Sequence, residues 1–497
     1  MSLNSISSRS TRALTWGVAG AIGKVVAQLM VQITLARLLD PLAFGQYTAV
    51  LLVYGLGYNI ADGGFGSALI QKKELHTGDV SMALGWSLLS AIVISLLIIA
   101  CSDTFAHLMG DATLALIFKV CALLIPFQVV SNISSSLLRR ELHMRGIQII
   151  QFLAYFVFFG GLATALALMG YGVWSLVAGF AAQTVFSLVA TYWLARHTLR
   201  PRLQGDSTLV HFGLKSMATE LTGSAMDTVD RLLVGKFWGI YSLGLYSVAY
   251  NLSKAPVALL LSTAQSITFA STARLHGNWS AVRKGYLIVL SAVVLTTLPV
   301  FTLAAFESGT VLHIIYGQKW IKAAPYMTAL ALTVPLISMC AVTAAILRGS
   351  GQVGQELRGT MISTVALIAG FLLLQHESLV VAVWSVPLSY LLRFLILQDT
   401  IRHRLGLHFS DLILACRGAL VMSATGLCMA VLVRSSLQTT AGGLDALPLL
   451  AGCCAIAGLF MLRFNWLLGA PLAEMVRQKF SAGPFGPALD WLQRGRI

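Results

Sequence analysis

The stretch AFGQYTAVLLVYGLGYNIADGGFGSALI, residues 43–70, is apolar enough to cross a bilayer, yet near its end it carries Asp62 and the glycines Gly63, Gly64 and Gly66. A helix rising about 1.5 Å per residue needs about 20 apolar residues to span roughly 30 Å of hydrocarbon. Runs of that kind recur at 13–36, 43–70, 80–101, 114–138, 148–169, 172–195, 210–235, 242–270, 285–306, 324–347, 358–375, 378–400, 411–433 and 444–463, parted by short polar segments. The chain therefore reads as an all-α polytopic membrane protein with about fourteen transmembrane helices. The short alternating segments of a barrel are absent from the sequence. Composition agrees, with 57% hydrophobic and 11% charged residues against about 25% charged in an ordinary soluble domain. The first run follows Arg9 and Arg12 and is longer than the roughly 7–15 apolar residues of a signal peptide, so it is expected to be a retained helix.

Basic residues fix the orientation. With the N-terminus inside, 22 of the 34 lysines and arginines fall in inner segments, five (Arg37, Lys236, Lys319, Lys322, Arg434) fall outside, and seven lie within spans. A miscounted helix in the middle would invert the later loops, so both termini are expected to be cytoplasmic. The surplus is spread over short inner loops rather than gathered in one domain, which argues against nucleic acid and for contact with anionic inner-leaflet lipids. The seven cysteines lack the paired spacings of a metal site and read as packing residues.

Two internal echoes suggest a repeat. Arg37, Phe44, Gly45 and Tyr47 correspond to Lys236, Leu243, Gly244 and Tyr246 at a constant offset of 199, and LLRRELHMRG (137–146) resembles ILRGSGQVGQ (346–355). Six helices separate the first pair, and an even number preserves orientation, so the repeats would be parallel. The expected organisation is two six-helix lobes, 1–200 and 201–405, two additional helices over 406–469, and a cytoplasmic tail over 470–497.

Charge at membrane depth is a functional signal, because each such group costs several kcal/mol in hydrocarbon unless it meets a partner or water. The basic residues within spans are Lys24, Lys119, Lys215, Arg231, Lys254, Arg393 and Arg417, and the acids at comparable positions are Asp62, Glu220, Asp227 and Asp230. Lys215, Arg393 and Arg417 lie near the inner interface, where long side chains snorkel. Lys24 stands roughly 18 Å above Arg12, and Asp62 roughly 15 Å above Lys72, so the two are expected at one level facing a common interior. The glycines beside Asp62 fit a close approach or a local break, tolerated at depth only where protein or water satisfies the backbone. Asp227 and Arg231 are four apart and can bond along one helix face, whereas Glu220 has only Lys215 near it in sequence. Pro256 would kink the helix just after Lys254.

The segments GKVVAQLMVQITLARLLDPLAFGQYTAV (23–50), DGGFGSALIQKKE (62–74), LLRRELHMRG (137–146), DRLLVGKFWGIYSLGLYSVAYNLSKAP (230–256) and IIYGQKW (314–320) resemble, in order, the polysaccharide-transporter branch of the multidrug/oligosaccharidyl-lipid/polysaccharide exporter superfamily, the exopolysaccharide and O-antigen flippases. The resemblance implies two six-helix lobes around a central cavity in the bacterial inner membrane. It implies a carrier, not an enzyme, that moves undecaprenyl-pyrophosphate-linked oligosaccharide to the periplasmic leaflet in exchange for protons or sodium and works beside the polymerase and glycosyltransferases of its pathway. No cofactor or metal is implied. Taken with the intramembrane charges, it makes Lys24, Lys254, Lys119 and Arg231 candidates for pyrophosphate or sugar, and Asp62, Glu220, Asp227 and Asp230 candidates for the coupling cation. Where relatives often read Asn-Leu-Asp-Arg, this chain reads Thr228-Val229-Asp230-Arg231.

Two other readings compete. A drug/cation antiporter of the same superfamily would favour an acidic cavity, whereas the deep lysines here suit an anionic cargo. A membrane glycosyltransferase or polymerase would need a large outer loop or a metal-binding catalytic domain, and the longest outer segment, about 307–323, carries one acid, Glu307.

Overall fold

The structure, a computed structural model, describes residues 23–72, 74–204, 207–275 and 277–436. The start of the first expected span, the fourteenth span and the tail lie outside the described residues. Every regular element among the described residues is helical. A helix over 23–38 (α1) is followed by α2 (Pro41–Asp62), α3 (Phe65–Gln71), α4 (Thr77–Ala100), α5 (Ser102–Leu108), α6 (Leu114–Ala122), α7 (Ile125–Arg140) and α8 (Met144–Leu153). A π-helical stretch, Ala154–Gly161, joins α8 to α9 (Leu162–Leu168), and α10 (Val173–Ala195) and α11 (Ser207–Arg274) follow. The rest comprises α12 (Trp279–Phe306), α13 (Ser308–Tyr316), a 3-10 turn over Gln318–Ala323, α14 (Ala324–Gly349), α15 (Val353–Leu373), α16 (Leu379–Ala382), α17 (Ser385–Leu405) and α18 (Phe409–Ser436).

Ten helical stretches among the described residues are long and apolar enough to cross a membrane, against about fourteen expected. The differences have physical reasons. The expected 43–70 span is broken into α2 and α3 by Gly63 and Gly64, both left-handed with φ of 58° and 68°. The seventh and eighth expected spans run together as α11, whose backbone leaves helical geometry only at Gly239. The first and fourteenth are not fully described.

The chain forms two compact units that part between Val248 and Ala249. In the first, α3, α4 and α7 share a core of Phe65, Leu69, Val80, Leu84 and Ile133. Arg140, at the end of α7, donates to the carbonyls of Leu69 (2.7 Å) and Ile70 (3.3 Å), completing the C-terminal turn of α3. In the second, α14 packs against α12 and α17, and 78% of the apolar window in Gln318–Gly349 is buried. The IIYGQKW segment anchors that region, with Tyr316 and Trp320 fully buried and their rings 6.2 Å apart.

The second sequence echo falls on a helix-ending turn that α5 and α9 share. After α7, the amides of Glu141, Leu142 and His143 donate to the carbonyls of Leu137, Arg139 and Leu138. After α14, those of Ser350, Gly351 and Gln352 donate to Ile346, Arg348 and Leu347, the same three bonds displaced by 209 positions. Leu142 and Gly351, equivalent in this register, are both left-handed, with φ of 60° and 76°.

Candidate functional site: a polar cavity in the first unit

Polar stripes at helical spacing converge on one cavity of about 380 Å³. Helix α1 contributes Lys24 and Gln28, α7 contributes Gln128, Asn132 and Arg139, and α10 contributes Gln183, Ser187 and Thr191. Residues three, four, seven or eleven apart on a helix share a face, so apolar helices can present a continuous hydrophilic strip inward while keeping their other sides in lipid. The Lys24 ammonium donates to the Gln151 side chain of α8 at 3.3 Å. Just beyond, the helix loosens into the π-helical stretch, whose Ala154 and Tyr155 also line the cavity. Such irregularities cluster at functional sites.

Asp62 is 6% exposed. Its carboxylate accepts from the Asn132 amide at 2.7 Å, and its carbonyl accepts from the Ser87 hydroxyl at 3.3 Å. Asn132 thus lines the cavity beside Lys24 and at the same time holds Asp62, one side chain back from the open space. The glycine run permits this arrangement. A Cβ on Gly64 would stand 2.5 Å from the Gly213 carbonyl oxygen of α11, and one on Gly66 would stand 2.9 Å from the Asn132 amide nitrogen. The acid is retained at a point where the helix ends, turns left-handed and admits its neighbours.

The remaining candidates have other surroundings. Lys119 is part-exposed and ion-paired with Asp103 at 3.5 Å, away from the cavity lining. Asp230, 2% exposed, accepts from the Tyr246 hydroxyl at 2.7 Å and from the backbone amide of Arg231, also at 2.7 Å. Its bond to Tyr246 clips α11 to itself across the Gly239 break. Arg231 is half-buried on the same helix. Lys254 belongs to the second unit, where its ammonium donates to the Tyr250 hydroxyl at 2.6 Å and lies over the rings of Tyr250 (4.4 Å) and Tyr390 (5.8 Å). The side chains of Glu220, Asp227 and Lys215 lie outside the described residues.

The sequence scan for charge missed the amides and counted Arg139 as a loop residue. The signal was present as Gln128-Asn132-Ser135-Arg139 and Gln183-Ser187-Thr191, polar positions at helical period within apolar runs. Chemically, such a lining offers two cations for an anion and many amides and hydroxyls for a sugar.

The family model for "Polysaccharide biosynthesis protein" matches residues 34–325. The chain is 26% identical over 350 residues to the succinoglycan biosynthesis transport protein ExoT of Rhizobium meliloti (strain 1021), covering 69% of each chain. It is 23% identical to the teichuronic acid biosynthesis protein TuaB of Bacillus subtilis (strain 168), over 79% of this chain and 84% of that one. To the lipopolysaccharide biosynthesis protein WzxC of Escherichia coli (strain K12) it is 21% identical, over 75% and 79%. Among solved structures, the lipid II flippase MurJ in an inward closed conformation superposes with a TM-score of 0.76 at 12% identity, over 90% of this chain and 99% of that one. An inward-facing multidrug MATE transporter gives 0.61 at 16% identity, over 77% and 94%. These likenesses establish the fold. The chain is a member of the polysaccharide biosynthesis protein family, in the polysaccharide-transporter branch of the multidrug/oligosaccharidyl-lipid/polysaccharide exporter superfamily.

Proposed function

We propose that this protein is a flippase that carries undecaprenyl-pyrophosphate-linked oligosaccharide from the cytoplasmic to the periplasmic leaflet of a bacterial inner membrane, with both termini cytoplasmic. The observation that carries this reading is the cavity where Lys24 and Arg139 share a lining with glutamines, an asparagine and hydroxyls, and where no described lining residue is a carboxylate. An anionic lipid headgroup cannot cross hydrocarbon uncompensated. Two fixed cations supply charge-assisted bonds to phosphate oxygens, while the amides match sugar hydroxyls. Release then requires the site to open to the other side with weaker binding, through rocking of the two six-helix lobes. Lys254 and Arg231 are assigned to the same anionic cargo. Asp62, buried behind Asn132, is assigned to the coupling cation, proton or sodium. Polymerase and glycosyltransferases of the pathway are the proposed neighbours.

The test is flipping of a fluorescent pyrophosphate-linked oligosaccharide in vesicles reconstituted with the full chain. Lys24→Ala and Arg139→Ala each remove a charged donor worth about 1.5–3 kcal/mol. Flipping should fall about tenfold or more in each, with unfolding temperature unchanged. Full activity in both would refute the assignment. The drug/cation antiporter alternative predicts instead that these variants gain uptake of cationic dyes.

A further inference from the structure

On its other side, α7 meets a second cavity of opposite character. About 470 Å³ of space lies between α4, α7 and α10, walled by Leu88, Phe127, Val130, Val189, Trp193 and Leu199. Leu88 is eleven residues past Thr77, the first residue of α4, or about 16 Å along the helix. That is close to the depth of one leaflet, half of roughly 30 Å. The groove thus runs from mid-membrane to the end of α10, which the positive-inside count makes the cytoplasmic end.

That end is closed by an ordered crossing segment, 196–204. The backbone turns left-handed at Arg196, φ 45°. The Arg196 guanidinium stands over the Trp193 ring at 5.7 Å and donates to the Trp193 carbonyl at 3.3 Å. The His197 ring is bonded to the Ser134 hydroxyl of α7 at 2.8 Å. The Arg202 amide donates to the Ser81 carbonyl of α4 at 2.9 Å, and the Trp86 indole donates to the Leu203 carbonyl at 3.1 Å. Tied to α7 and α4 in this way, the segment lays Leu199, 50% exposed, across the groove mouth and presents Arg196, Arg200 and Arg202, all exposed, within seven residues that contain no acid.

We infer that the groove between α4, α7 and α10 is a binding site for one anionic phospholipid of the cytoplasmic leaflet, its acyl chain along Leu88, Val130 and Val189 and its phosphate against Arg196 and Arg200. Apolar walls as deep as a leaflet fit a tail. Arginine forks match phosphate oxygens in pairs, and a tryptophan at the headgroup level is where such a ring sits. A surface merely rich in basic residues attracts anionic lipid without a groove; the tail slot makes this a site. Because α7 turns its polar stripe to one cavity and Phe127 and Val130 to the other, a seated tail would brace the helix that carries Asn132 and Arg139. The inference is independent of the cargo.

The experiment uses the full chain purified in detergent, with lipid retention read by native mass spectrometry and unfolding temperature read in mixed micelles. The probes are phosphatidylglycerol and phosphatidylcholine. The wild type should retain phosphatidylglycerol at least fivefold over phosphatidylcholine and gain unfolding temperature from it. Val189→Trp, filling the groove, and Arg196→Gln with Arg200→Gln should each cut retention severalfold. Should Val189→Trp fail to fold, Leu199→Glu reads the same quantity by placing an acid at the mouth. Equal retention of both lipids overturns the proposal. So does undiminished retention in the groove variants with loss only in the arginine variants, which is surface adsorption. Displacement of phosphatidylglycerol by equimolar undecaprenyl phosphate would assign the groove to an isoprenoid tail and also overturn it.

Discussion

Gly45 and Gly244 make the same contact with each other's surroundings: a Cβ on Gly45 would overlap the carbonyl oxygen of Ile240, and a Cβ on Gly244 would overlap the carbonyl oxygen of Pro41. Both pairs obey the offset of 199 that defines the first sequence echo, since Pro41 corresponds to Ile240 as Gly45 does to Gly244. A reciprocal contact of this form, within the first unit, is what a local two-fold axis between the segments 41–45 and 240–244 produces.

Either glycine to alanine should therefore be severe. The obstacle is backbone, which cannot rotate away, so each substitution is expected to cost at least the roughly 1–3 kcal/mol of core overpacking. Gly55→Ala is the matched control: it lies in the same helix, α2, and its Cβ meets nothing within 4 Å. Alanine there should stabilise by up to about 1 kcal/mol. Unfolding temperature by size-exclusion after heating separates the two outcomes, and equal tolerance at Gly45 and Gly55 would remove the axis.

Leu142 should be improved by glycine. A non-glycine residue held left-handed costs roughly 1–2 kcal/mol, and Leu142 is 44% exposed with little packing to lose. Leu142→Gly is expected to raise the unfolding temperature by a few degrees. The opposite exchange at the equivalent position, Gly351→Leu, should lower it. A destabilised Leu142→Gly would mean that the side chain has a contact that outweighs the strain.

The all-helical, multi-pass character was legible because hydrocarbon thickness is written directly in the sequence as the length of its apolar runs. The second echo marks two like helix ends, with the same three bonds after Leu137 and Ile346, a turn that also begins at Phe105 and Ala165. The cavity was legible only in part. Lys24 stood out because a charge in a span is costly, whereas Gln128, Asn132 and Gln183 are tolerated at depth and attract no notice singly. Arg139 and Arg140 looked alike in a loop, yet one lines the cavity and the other closes α3. Lys119, counted as a charge within the fourth span, lies beside Asp103. Only the three-dimensional register separates such cases.

His197 should make stability depend on pH. Burial lowers its pKa below the usual 6.5, against the opposing pull of the Thr198 carbonyl. A histidine whose folded pKa is depressed contributes stability that is present above the unfolded value and lost as pH falls through the folded one. Unfolding temperature should therefore decline as pH drops below about 6.5. His197→Gln, which keeps a hydrogen-bonding group toward Ser134, should flatten that decline.

Asp230 and Tyr246 should behave as one unit. A buried hydrogen bond to a charged acceptor contributes about 1.5–3 kcal/mol, and this one spans the Gly239 break. Tyr246→Phe and Asp230→Asn should each destabilise, and the double variant should cost less than the sum by about 0.5–3 kcal/mol. Additivity would mean that Asp230 has another task, and a transport defect in Asp230→Asn with unchanged stability would point to coupling.

Asp62 and Asn132 supply the sharpest test of coupling. In Asp62→Asn the acceptor oxygen remains, so the 2.7 Å bond from Asn132 can persist while the charge is gone. If the acid carries the coupling cation, flipping in vesicles should continue down a cargo gradient but cease to respond to an imposed proton or sodium gradient. Asn132→Leu is the complementary change. It leaves the carboxylate 6% exposed without that donor, a loss of a charged hydrogen bond costing about 1–3 kcal/mol or more, and should reduce both stability and flipping. A gradient response surviving intact in Asp62→Asn would return this aspartate to a structural role at the end of α2.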